Sequence, residues 1–439
     1  MTETVTPQIG DSTQPNTWPV LDGRLIDKTS LSALNHIPAV IENPKPSLML
    51  ATSQTSARET GFDVLRGIAV LLVLGRHLWE IPKSLPLIER IPLILWQRGG
   101  WVGVDLFFVL SGFLISRLLF EESLKTGCFS TRRFYLRRAF KIYPAFALLF
   151  MVTLGVWGLV KGRLQPLPNI LAEVFFVQSY FPGLWNHTWS LAVEEHFYLL
   201  LPGLLWLLAA SRRGQTAPFA GIVGLTLVWA GVSWGLRWEH ATRHPLDWEW
   251  RLFSTHLRLD SLLIGVTLGY FRVWHSARML SFCRSHATAL LCLGTIGLLP
   301  VFVSPLEATP WLSVSGLTLF ALASAALVGS VLGMKSQSSV WTAPLDTIGR
   351  SSYAIYLCHM PVVAWLLPGL EQAIGHRFPF NLRLGLYLGV SCVIGWLVTA
   401  LLEAPLLRLR DRWIPRERKP AASNLAVRTI SVLPAGSVQ

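Results

Sequence analysis

The sequence predicts an all-α, polytopic integral membrane protein with about ten transmembrane helices and both termini in the cytoplasm. Three observations predict it. Only 14% of the 439 residues are charged and 52% are hydrophobic. A soluble domain carries about 25% charged residues, so there is too little charge here to clothe a water-soluble particle. The apolar residues gather into runs long enough to cross a hydrocarbon core of about 30 Å. Finally, the basic residues, 38 Lys and Arg against 25 Asp and Glu, favour alternate connections between those runs, as charges retained on the cytoplasmic side do. Basic clusters separated by apolar spans also argue against a nucleic-acid partner, which would need them on one face.

Residues 1–60 are polar, rich in Thr, Ser, Pro and Asn, and contain no long apolar run. A secretory signal would need a basic start followed at once by an apolar stretch, so this segment reads as a disordered cytoplasmic tail. Apolar segments then recur at about 62–80, 101–120, 143–160, 188–209, 217–236, 251–271, 286–304, 311–333, 347–369 and 384–407, forming a transmembrane domain over 61–408. Residues 170–182 are apolar but short, and read as an interfacial or re-entrant piece. With the N-terminus inside, Arg132, Arg133, Arg137, Arg138 and Lys141 fall in the cytoplasm. So do Arg212, Arg213, Arg272, Arg278 and Arg284, and then Arg410, Arg412, Arg416, Arg418 and Lys419 of a basic tail over 409–439. The opposite loops hold fewer, which favours an even number of spans. The last span's Glu403-Ala404-Pro405 reads as a helix end. No sequence repeat or inverted-repeat signature is visible. Cys128, Cys283, Cys292, Cys358 and Cys392 show no metal-ligand spacing, so neither a disulfide nor a metal site is expected.

Charged and titratable residues inside spans are expensive and usually functional. Arg66 and His77 in the first span are eleven residues apart, which returns to nearly the same helix face roughly 16 Å further on. That puts Arg66 near the inner surface and His77 in the outer half. The alternatives are an arginine snorkelling to headgroups and a packed histidine. Asp105 lies about one turn into the second span, where it could orient an Arg or His or simply start a helix. The fourth span carries Glu194 and Glu195 beside His196, with Glu194 sharing a face with Ser190 and Tyr198. An ion pair of Glu194 with Arg258 or Arg76 is the plainer reading. Arg258 and Asp260 sit in the sixth span, and His359 falls near the middle of the ninth. Together His77, Glu194, Glu195, Arg258 and His359 are expected in one wet cavity toward the outer face, with the mix of imidazole and carboxylate that acid–base chemistry needs. At the inner surface, Arg137, Arg138 and Lys141 lie within one helical turn and could grip phosphates, and Arg350 opens the ninth span there. Ordinary positive-inside bias or lipid binding explains that cluster equally well.

In this order, the pieces resemble membrane-bound acyltransferase family 3, a family of sugar O-acetylases. The carriers are Arg66 with His77, Gly103-Val104-Asp105-Leu106-Phe107-Phe108-Val109-Leu110-Ser111-Gly112-Phe113, the arginine-rich run ending Ile142-Tyr143-Pro144, Trp189-Ser190-Leu191 with Glu194, Ser352-Tyr353 through His359 and Pro361, and Glu403 to Pro405. The resemblance implies an enzyme of the plasma (inner) membrane that uses acyl-CoA as donor co-substrate, with no permanently bound cofactor. The acceptor would be a hydroxyl of a glycan or glycolipid at the outer face. On that analogy Arg66 and His77 are the functional pair. Glu194 tunes His77, and Arg137, Arg138, Lys141 and Arg350 hold the CoA phosphates. Asp105, Glu195, Arg258 and His359 support the substrate. Lys141 stands where the family commonly has arginine, and His196 where glutamine is frequent. Some members continue into an extracytoplasmic esterase-like domain. Here a short basic tail follows, so action alone or with a separate partner is expected. The rival reading is a transporter or flippase of lipid-linked sugars, since intramembrane His and Glu also build proton relays.

Overall fold

The computed structural model describes residues 45–211, 217–334 and 342–415, with side chains from residue 61 onward. The tail expected over 1–60 lies outside the described residues up to residue 44, as do Arg212, Arg213, Arg416, Arg418 and Lys419. The features below lie in the unit that begins at Thr52, apart from the first residues of the first helix.

Every regular element among the described residues is helical. The chain runs through α1 (Lys45–Arg76), α2 (Leu87–Gly99), α3 (Val102–Thr126), α4 (Thr131–Gly155), α5 (Leu167–Val174) and α6 (Trp189–Ser211). It continues through α7 (Gly221–Arg243), α8 (Trp248–Phe253), α9 (Leu259–Trp274), α10 (Ser276–Ser285), α11 (Ala287–Leu298) and α12 (Pro300–Val303). Last come α13 (Leu317–Gly333), α14 (Ala343–Arg350), α15 (Ser352–Pro361), α16 (Leu367–Ile374), α17 (Phe380–Val398) and α18 (Ala404–Trp413).

Among the described residues, six helical stretches are long and apolar enough to cross a membrane: Val102–Thr126, Thr131–Val160, Asn186–Ser211, Leu312–Gly333, Ser352–Ile374 and Phe380–Trp413. A seventh follows if α10 and the Ala287–Val303 stretch, bent by 76°, count as one span. Besides the bent pair, the expected spans at 62–80, 217–236 and 251–271 are not among the six, and the last two differ for physical reasons. α7 is long enough but ends in Arg237, Glu239, His240 and Arg243. The 251–271 stretch is broken by a 3₁₀ turn at Thr255–Leu257, which leaves α9 only 16 residues. The helix end expected at Glu403 is instead a π-helical turn over Thr399–Glu403, and the helix resumes as α18. Pro405 falls in the first turn of the resumed helix, where a missing N–H costs least.

α3 forms the centre: 72% of its most apolar stretch is buried, against 17% for Phe380–Trp413. Small residues allow its close packing. A Cβ added at Gly112 would strike the Leu262 carbonyl of α9, and one at Gly265 the Val109 carbonyl of α3. Gly103 lies just as close to the Ala69 carbonyl of α1. Ser111 of the same helix pairs with the Tyr198 hydroxyl of α6.

Charge completes the frame. The Arg258 guanidinium donates to Asp105 at 2.6 Å, joining α9 to α3. Arg237 of α7 donates to Asp260 at 2.6 Å, and the Thr318 hydroxyl of α13 donates to the same oxygen at 2.8 Å. All four charged side chains are buried. Removing one partner of such a pair strands the other and costs about 3–5 kcal/mol. Asp105 and Arg258 therefore tie helices together. They are not the substrate supports expected from the sequence, because each spends its charge on the other.

Candidate active site

The last turn of α1 places His77. Its backbone N–H bonds to the Leu74 carbonyl at 3.2 Å in a tightened turn, which leaves the Val73 carbonyl for the imidazole Nδ1 at 3.0 Å. Neighbouring side chains serve the other late carbonyls: Trp96 Nε1 donates to Leu71 and the Tyr387 hydroxyl to Leu74. The ring is thus fixed by the need to satisfy a helix end.

The partner of His77 is His359, whose Nε2 lies 3.3 Å from His77 Nδ1. Hydrogen-bond logic assigns both tautomers. His359 Nδ1 sits 2.6 Å from the Tyr356 carbonyl and can only donate to it. His359 Nε2 is then an acceptor. His77 Nδ1 must carry its hydrogen, shared between His359 Nε2 and the Val73 carbonyl. His77 Nε2 keeps its lone pair.

Two neighbouring cavities lie here, and His77 lines the smaller. That cavity has a volume of about 30 Å³ and is walled by Arg76, His77, Trp101, His187, Trp189 and Tyr356, among others. At its edge, Arg76 stacks on Trp101 at 4.2 Å and pairs with Glu307. The larger, about 190 Å³, is basic at one side and apolar deeper in. Arg66, Arg138, Lys141 and Arg350 supply the cations. Only Val104 and Tyr356 line both cavities.

The cations of the larger cavity differ in how they are held. Arg138 makes no ion pair among the described residues, and its guanidinium lies 5.9 Å from the Tyr198 ring. Lys141 pairs with Glu403, which the π turn aims inward, and stands 5.6 Å from the Tyr353 ring. Arg66 bonds Asp63 at 2.6 Å. Arg350 bonds Asp346 at 2.6 Å and is largely exposed. Arg137 is a correction: it donates to the Ile414 carbonyl at 2.7 Å and to Asp411 at 2.9 Å, and does not line the cavity. A helical turn cannot aim both neighbours the same way.

The carboxylates also part company. Glu194 lines the larger cavity and accepts from the Tyr198 hydroxyl at 2.8 Å, without reaching His77. Arg258 and Arg76 pair elsewhere, so neither is its partner. Glu195, on the next helix face, accepts from Tyr143 at 3.1 Å and borders a separate cavity with Phe175, Phe176 and His196. Of the five groups expected in one pocket, the structure brings together His77 and His359. Glu194 is one cavity away, Glu195 faces a different one, and Arg258 lies in the frame.

Three contributors escaped the sequence reading. His187, in the 3₁₀ turn before α6, packs edge-on to His359 with ring centres 5.0 Å apart. The Tyr356 hydroxyl donates to the His187 carbonyl at 2.5 Å and pairs with Ser190 at 2.5 Å. Glu173 of α5 accepts from the Leu184 N–H at 3.0 Å, steadying the loop that delivers His187. Burial pushes that carboxyl above the ordinary range. Only the adjacency of His187 to Trp189-Ser190-Leu191 could have flagged any of them.

Fold and site together define a polytopic helical membrane protein in which a half-buried His77, paired with a buried His359, lines an aromatic cavity beside a basic one. Residues 59–400 match the acyltransferase-domain family, and the chain belongs to that family. It is 29% identical, over 70% of its own length, to the peptidoglycan O-acetyltransferase OatA of Listeria monocytogenes, covering 50% of that protein. It is 28% identical over 79% of its length to Bacillus subtilis YrhL, provisionally named for the same activity, covering 54% of it. A Staphylococcus aureus (strain COL) protein provisionally named an O-acetyltransferase is 28% identical over 70% of this chain and 51% of its own length. The chain thus spans about half the length of these relatives. No solved structure matches it.

Proposed function

We propose that this protein is an O-acyltransferase of the plasma membrane that moves an acyl group, in the first place acetyl, from cytoplasmic acyl-CoA to a sugar hydroxyl outside. The observation that carries the reading is His77: a base with one nitrogen committed and the other with no partner among the described residues, lining an aromatic cavity that shares the wall residues Val104 and Tyr356 with a basic one. The basic cavity suits the donor. Arg138, Lys141 and Arg350 would hold CoA phosphates, and the apolar depth beyond Arg66 would take the pantetheine arm. The aromatic cavity suits a sugar approaching from the other side. In the reaction, His77 Nε2 takes the acceptor hydroxyl proton while that oxygen attacks the thioester carbonyl. The carbon–sulfur bond breaks, the carbon–oxygen bond forms, and the proton passes to the departing thiolate. His359 and the Val73 carbonyl stabilise the intervening imidazolium through Nδ1. Both substrates can reach His77 at once, which favours direct transfer over a covalent acyl-enzyme.

The loop charges support both termini inside and about ten spans, counting α1, α7, α9 and the bent α10–α11 region with the six stretches above. The relatives' names make peptidoglycan the first acceptor to test. Mass spectrometry of base-released esters from the cell envelope of wild-type, deletion and His77→Ala strains tests the reading. Ester loss in the last two is expected, and an unchanged profile in all three would overturn it.

A further inference from the structure

We propose that the Val104 side chain, set against the immobile ring of Tyr356, limits the length of the acyl chain that can be transferred. The inference rests on the O-acyltransferase reading and adds its donor specificity.

The first ground is topological. The two cavities share only Val104 and Tyr356 as wall residues, so a thioester entering from the Arg138 side reaches His77 between these two. The carbonyl carbon must stop there, where the acceptor oxygen can attack it. The acyl tail then needs room in the smaller cavity, which the acceptor also occupies.

The second ground is that neither wall can yield. Tyr356 is anchored at its hydroxyl by the His187 carbonyl and Ser190, each at 2.5 Å. Its ring is braced by Phe107 at 6.4 Å and His359 at 5.8 Å between centres. Val104 lies in the first turn of α3, between two fixed points. Gly103 lies against the α1 backbone at Ala69, and Asp105 is locked to Arg258 at 2.6 Å. Close-packed surroundings cannot open by a methylene without strain. Beyond the narrowing, Trp101, Trp189 and Phe253 close the space. Acetyl fits with least intrusion, and each added methylene competes with the Val104 methyls or with the acceptor.

The test uses membranes from cells expressing the full chain, with native acceptors in place. They are supplied with radiolabelled acetyl-CoA or butyryl-CoA, and label in base-labile glycan esters is measured. Wild type is expected to prefer acetyl. Val104→Ala should raise the butyryl-to-acetyl ratio about tenfold or more, the discrimination typical of a methylene-sized difference in a pocket. Val104→Leu should lower the ratio and slow acetyl transfer too, so the prediction survives if one variant folds poorly. An unmoved ratio in a variant that still transfers acetyl overturns the proposal. No ester label from either donor in wild type overturns the O-acyltransferase reading itself.

Discussion

The two cavities are built by opposite means. The smaller is rigid: its histidine is tied to a helix carbonyl, its tyrosine to a backbone and a serine, and its walls are aromatic. The larger is lined by long cations: Arg66, Lys141 and Arg350 each pair with a carboxylate, the Arg350 side chain is itself exposed, and Arg138 makes no ion pair among the described residues. Positioning a reacting atom needs the first kind of construction. Attracting a polyanion and letting it go needs the second.

Substitutions can break or sharpen that contrast. The largest effect is expected from His77→Ala, which should cut acetyl transfer by about 10²–10⁴-fold, the range for a lost general base, with KM for the donor nearly unchanged. Turnover assays in detergent would measure it. Arg258→Ala should cost about 3–5 kcal/mol of stability by stranding Asp105 beneath the rigid cavity, read as early loss of monodisperse protein on heating. Arg138→Ala should raise KM for acyl-CoA about 10–100-fold, the value of a lost charge-assisted hydrogen bond, and leave kcat close to wild type. Arg137→Ala should barely change KM. Equal effects at the two arginines would show that the larger cavity is not where the donor sits. The smallest effect concerns Glu173. Its raised folded pKa means that folding favours the protonated form. Its contribution is therefore fully present below the ordinary carboxylate range and declines as pH rises toward the folded value. Glu173→Gln should flatten that part of the stability–pH curve, measured by thermal unfolding at several pH values.

The same contrast separates what the sequence revealed from what it hid. Apolar runs made the helices legible, because spanning length is a property of one segment. Eleven residues on one helix fix the angle between Arg66 and His77, but the structure sets Arg66 in the larger cavity and His77 in the smaller. Side-chain direction between helices was not legible. Glu194 and Glu195 are neighbours in sequence but border different cavities, and Arg137 turns to Asp411 while Arg138 lines the larger cavity. Equal depth in the bilayer says nothing about which way a side chain turns around its own axis. The break before α9, which sends Arg258 to Asp105 and away from the cavity, depends on a 3₁₀ turn that hydropathy cannot register.

The buried pair between α3 and α9 also governs assembly. Asp105 and Arg258 are 153 residues apart, so α3 leaves the ribosome long before its counter-charge exists. A lone carboxylate in lipid is costly, and α3 must wait beside the translocation machinery, protonated or hydrated, until α9 arrives. Synthesis of this protein therefore has a built-in late step. Chains truncated before residue 258 should hold their central helix poorly and be prime targets for membrane quality-control proteases.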